Sequence, residues 1–121
     1  MATPSDLAHL GTHLRPLASV IHAAATESGA WVAVVLDARF SDADQDGSFV
    51  DKMRVDRTDG SQSSVSLPVE GVHRLISLGN ERPSGKDRWY GLLLRVTAEG
   101  ECEVRLNYDP DCAQDSSFYE S

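Results

Sequence analysis

The chain has 121 residues, with 11 Lys+Arg set against 19 Asp+Glu for a formal net charge of −8. That length suits one domain with one core, and 40% hydrophobic with 25% charged residues is ordinary globular composition. The acidic balance argues against direct binding to nucleic acid or to an anionic membrane, which need Lys/Arg patches, and favours either a basic partner or simply the solubility of an unremarkable acidic protein.

The opening residues, MATPSDLAHLGTH, lack the basic-then-apolar layout of a signal peptide, and no apolar run approaches the roughly 18–20 residues of a membrane helix. The expectation is a soluble, cytoplasmic single domain over 1–121. Neither Cys102 nor Cys112 has the CxxC spacing of a zinc or redox site, and a cytosolic location argues against a disulfide between them.

Leu7, Leu10, Leu14, Leu17, Ile21 and Ala24 recur at three- and four-residue steps, which predicts an amphipathic helix. Thr3-Pro4 or Ser5-Asp6 supplies a start and Gly29 a stop. Pro16 removes a donor inside the pattern, so a kink or two short helices are expected near Arg15. His9 and His13 have the i,i+4 spacing of metal ligands, but no neighbouring acid completes a set, so they read as solvated polar-face histidines beside His22.

Trp31–Phe40 is a β-branched, apolar strand whose near-continuous first half predicts a central position or cover on both faces. Ser41–Gly47 is a polar loop, Phe49–Arg57 a returning strand, Asp59-Gly60 a turn and Ser63–Leu67 a short third strand. Pro68–Leu78 reads as a second helix, with Val69, Val72, Leu75, Ile76 and Gly79 in helical phase and Gly71 against it. A polar Pro/Gly loop over 80–88 follows.

Trp89–Thr97 and Glu101–Tyr108 form a hairpin around Ala98-Glu99-Gly100. Leu92, Leu93, Leu94 and Val96 fill the first arm. The second alternates strictly, with Cys102, Val104, Leu106 and Tyr108 on one face, so Cys102 is expected to be a small buried hydrophobe. The order α-β-β-(β)-α-β-β predicts an α+β domain, a mainly antiparallel sheet of four to five strands with two helices packed on one face. Trp89 is expected to be structural.

No G-x-S-x-G elbow, phosphate-binding glycine loop or HExxH helix occurs, so no catalytic residues and no cofactor are expected; a small enzyme with an unrecognised site is the least favoured reading. Asp42, Asp44 and Asp46, followed by Gly47, match the opening of a calcium loop. Met53 stands where the bidentate twelfth-position Glu belongs, and the flanks read as strands. An acidic strand connection is the simpler reading; a calcium- or small-ligand-binding module is the alternative.

The end of the sequence carries Asp109, Asp111, Asp115, Phe118, Tyr119 and Glu120 with no basic residue. Aromatics among acids suit a surface that meets a basic protein, since aromatics anchor interfaces and charge steers approach; a solvated terminus is the plain alternative. If this segment and the 42–51 acids share one side of the sheet, their fields add.

Trp89, the apolar strand after it, the turn at Glu99-Gly100 and Val104-Arg-Leu-Asn-Tyr108-Asp109 resemble the C-terminal signature of YezG-like immunity proteins, and the order of elements before it is similar. That resemblance implies a non-enzymatic intracellular inhibitor that neutralises the nuclease domain of a bacterial toxin by protein–protein contact. The contacts expected on this reading are Asp42, Asp44, Asp46, Asp109, Asp111, Asp115, Phe118 and Tyr119. Family members often continue past the Tyr-Asp segment into a C-terminal helix, so a binding mode that uses such a helix does not carry over.

Overall fold

The computed structural model describes residues 4–40, 49–80 and 88–109. Helix α1 (Pro4–Glu27) is followed by strands β1 (Ala33–Phe40), β2 (Phe49–Asp56) and β3 (Gln62–Ser64), helix α2 (Val69–Asn80) and strands β4 (Gly91–Thr97) and β5 (Cys102–Asn107). The strands form one sheet in the order β3-β2-β1-β4-β5, and every neighbouring pair is antiparallel. The domain is α+β, as the order of elements predicts.

Strand β1 sits at the middle of the sheet, which explains its apolar first half. Val34, Leu36, Ala38 and Phe40 face the helices and are fully buried. Their register partners on β2 and β4 include Val55, Met53, Leu92, Leu94 and Val96, and these complete the sheet side of the core. Leu17, Ile21 and Ala25 of α1 with Leu75 and Leu78 of α2 close it from above.

Helix α1 is a single element with Pro16 inside it, not two short helices. The lost backbone bond is outweighed by the neighbouring buried side chains, since Leu17 and Ile21 are both fully enclosed. His13 lies on the Leu17–Ile21–Ala25 stripe at four-residue spacing and is 8% exposed, which corrects its reading as a solvated histidine. Because α1 packs against α2 as well as the sheet, its buried arc reaches beyond the leucine stripe.

At the C-terminal end of α1, the Arg57 guanidinium donates to the Ser28 carbonyl and hydroxyl, both at 3.0 Å. A cation at the orphaned carbonyls of a helix end is favourably placed. Gly29, with φ +119°, then turns the chain toward β1.

Strand β3 is shorter than the sequence suggests and shifted, covering Gln62–Ser64 instead of Ser63–Leu67. Val65 still donates its N–H to the Met53 carbonyl at 3.0 Å, and then the chain leaves the sheet. Leu67 tucks against the core beneath α2. There Gly71 lets α2 approach closely: a Cβ at that position would lie 2.6 Å from Leu67 Cδ1, and the leucine side chain would have to shift. The packing outweighs the glycine's poor helix propensity.

The hairpin forms as predicted, with Gly100 at φ +92° in its turn. Two positions in it differ from expectation. Leu93 points to the face away from the helices, and Cys102 is exposed, not buried. Helix α1 packs chiefly on β1 and β4, so β5 at the sheet edge is only partly covered.

Candidate functional site

The register brings four strand ends to one end of the sheet. Phe40 closes β1 and pairs directly with Phe49, which opens β2. The Phe40 N–H donates to the Tyr90 carbonyl at 2.8 Å, and the Tyr90 N–H donates to the Asn107 carbonyl at 2.7 Å. The chain therefore leaves β1, re-enters β2, enters β4 and leaves β5 in one row. β2 and β5 are three strand spacings apart there, roughly 14 Å.

Two acidic segments are anchored in that row. Residues 41–48 carry Asp42, Asp44 and Asp46, and residues 109–121 carry Asp109, Asp111, Asp115 and Glu120, with no Lys or Arg in either. The segment 81–87, which joins α2 to this same end, carries two acids and two bases and adds no net charge. Seven of the 19 acids thus belong to segments tethered at one end.

Of the expected contact residues, Asp109 is described. It is exposed, and its N–H donates to Asn107 Oδ1 at 2.9 Å, which turns the chain out of β5. Asp42, Asp44, Asp46, Asp111, Asp115, Phe118 and Tyr119, and with them the calcium-loop reading, lie outside the described residues.

The same end is aromatic. Phe40 stacks edge-on against the fully buried Trp89 at 5.1 Å and lies 5.4 Å from the Phe49 ring. Gly79 of α2 presses on Phe40 so closely that a Cβ there would sit 2.8 Å from its ring. Phe49, Tyr90 and Tyr108 remain half-buried around this post. Five of the chain's eight aromatic residues are therefore held at one end. Sequence reasoning passed over Phe49 and Tyr90 as contact candidates. The available signal was their place at strand ends next to the acidic and polar loops.

The face of the sheet away from the helices has a different character. In register, Arg54, Val35, Arg95 and Glu103 form one row, and Lys52, Asp37, Leu93 and Arg105 the next. Arg39 forms a two-point pair with Asp37 at 2.9 and 3.3 Å, Arg54 pairs with Asp56 at 3.2 Å, and Arg105 with Glu103 at 2.9 Å. Arg95 makes no ion pair among the described residues. This face and the adjoining β3 edge form a shallow depression of about 1170 Å³. Among the described residues, five cations against three acids leave this face mildly basic in an acidic protein.

Among the described residues, no group of three or more His, Cys, Asp or Glu side chains can hold a metal ion, and no helix is long and apolar enough to cross a membrane. His22 is used structurally, with Nε2 3.2 Å from the Ala98 carbonyl and its ring edge-on to Trp31 at 4.9 Å. Asp59 is held below the usual carboxylate range by hydrogen bonds from the Ser61 hydroxyl and N–H, which fix the β2–β3 turn. Asp51 is pushed up by burial on the helix-facing side of β2. Among the described residues, neither carboxylate lies among grouped partners of the kind that acid–base chemistry needs. The chain matches no protein-family model and no curated protein.

Proposed function

We propose that this protein is an immunity protein that neutralises a basic toxin domain, a nuclease, by covering it with the acidic, aromatic end of its sheet. The observation that carries the reading is the convergence at that end. Two segments that carry acids and no Lys or Arg are anchored in the row formed by Phe40, Phe49, Tyr90 and Asn107. A nuclease surface is built to attract phosphates, and acidic segments anchored at strand ends that carry rigid aromatic rings offer it charge to approach and hydrophobic area to grip. The net charge of −8 and the resemblance over Trp89–Asp109 to YezG-like immunity proteins point the same way.

The test is direct. The protein is used as bait with the product of the neighbouring open reading frame co-expressed, and any nuclease recovered is assayed with and without the bait. Loss of nuclease activity on mixing supports the reading; an inert neighbour and no capture at low salt count against it.

In the complex, Asp42, Asp44 and Asp46 changed together to Lys, and separately Asp109→Lys, are expected to slow association at least tenfold and flatten its salt dependence. Tyr90→Ala is expected to act on dissociation. On-rates unchanged by charge reversal would remove the steering role of this end.

A further inference from the structure

The two edges of the sheet are not equally protected. The β3 edge is three residues long and ends where the chain turns toward α2. The β5 edge runs for six residues, Cys102–Asn107.

The hydrogen-bond phase of this edge is fixed from two sides. Phe40 with Tyr90, and Val32 with Ala98, set the phase between β1 and β4, while Thr97 with Glu101 sets it between β4 and β5. Alternation along an antiparallel ladder then turns Glu103 and Arg105 toward β4. Cys102, Val104 and Leu106 direct their N–H and C=O groups outward, leaving six backbone groups on a rim that is unpaired among the described residues.

The apolar side chains beside this rim are only partly covered. Cys102 is exposed, and Val104 and Leu106 are half-buried. Between β5 and α1 runs a groove of about 770 Å³, walled by Leu14, Ala18 and His22 on the helix and by Val96, Cys102 and Val104 on the sheet.

We infer that β5 pairs with β5 of a second copy of this chain, antiparallel, about a two-fold axis through Val104. In this register Val104 faces Val104 of the second copy, and Cys102 faces its Leu106. All six outward backbone groups of each edge are then used. Glu103 comes opposite Arg105 of the second copy, and Arg105 opposite its Glu103, so two ion pairs form across the axis on the open face.

The neighbouring in-phase registers are worse. An axis through residue 103 places Glu103 against Glu103, and one through 105 places Arg105 against Arg105; each uses only four of the six groups per edge. Charged side chains on an edge ordinarily repel stray strands. Here their order, acid then base two residues on, is complementary to itself. Because paired positions share a face, both copies keep their helices on one side and the two α1–β5 grooves meet across the axis. The product is a ten-stranded sheet. The acidic ends point in opposite directions, so the assembly does not depend on what they bind.

Sedimentation equilibrium on the whole protein from micromolar to several hundred micromolar tests this. The wild type is expected to rise from 13.1 kDa toward twice that mass. Glu103→Arg and Arg105→Glu, each alone, should weaken self-association by about tenfold or more, because both symmetric contacts become repulsive. The double variant E103R/R105E should restore it. An equimolar mixture of the two single variants should form the heterodimer that neither forms with itself. Both side chains are exposed on an edge, so far-ultraviolet circular dichroism should show all variants folded.

A wild type that stays monomeric throughout the range would overturn the inference. So would a dimer indifferent to both single reversals, or single variants that fail to complement each other.

Discussion

Strands β1 and β5 make an instructive pair. The sequence of β5 alternates apolar and polar residues without a fault, whereas that of β1 is nearly continuous in apolar residues. By pattern alone β5 is the better amphipathic strand. In the structure Val34, Leu36, Ala38 and Phe40 of β1 are completely buried, while on the same face of β5 Cys102 is exposed and Val104 and Leu106 are half-covered. Alternation determines which face a side chain takes; the position of the strand determines how much of that face is covered. At the centre, β1 has neighbours on both sides and helices above. At the edge, β5 lies beside a groove that α1 does not fill.

The contrast can be tested by removing side chains. Trp89 has the most to lose, because it is fully buried and holds Phe40 at the end of β1. Trp89→Ala is expected to cost about 3–5 kcal/mol, a large part of the stability of a small domain, read from urea unfolding at neutral pH. A loss below about 1 kcal/mol would mean that the ring is not enclosed.

Leu36→Ala and Leu106→Ala carry the comparison itself, since both delete the same atoms from the same face of the sheet. At the centre the loss should be about 3 kcal/mol; at the edge, where the side chain is half-exposed, about 1 kcal/mol. The measurement belongs at a concentration low enough to keep the chain monomeric, because an occupied β5 edge would raise the second figure. Equal losses would show that β5 is covered as fully as β1.

Much of this architecture could be read from the residues, and the departures share one physical origin. Element types, their order, the central place of β1 and the glycine turn of the hairpin all follow from local pattern. The burial of His13, the exposure of Cys102 and the early end of β3 do not, because each depends on which element packs above which strand. His13 came closest to being legible: it continues the Leu17–Ile21–Ala25 stripe by one further step of four. The shared end of the acidic segments was visible only as a condition. It required the register of β1 with β2 and β4, which no single segment encodes.

Asp51 offers the smallest effect and the finest probe of how strand position sets cover. It lies on the helix-facing side of β2, across from the fully buried Ala38 and between the half-buried Phe49 and the buried Met53. Its own alternation would make it a core position, yet it is a carboxylate, and burial alone raises its pKa from 3.8. The folded state therefore holds the proton more tightly than the unfolded chain. The linked stability is fully present below the unfolded value, and it is lost as pH rises through the folded one, so at neutral pH the ionised group is a net cost. Asp51→Asn is expected to raise stability at pH 7 by less than about 1 kcal/mol, since the group is partly in water. That advantage should shrink as pH falls through the acid range toward the ordinary carboxylate value. Melting temperatures of the two proteins, followed from neutral pH downward, are expected to converge. Parallel curves would show that the carboxylate at position 51 is solvated like any surface acid, and that the helix-side cover ends at Met53.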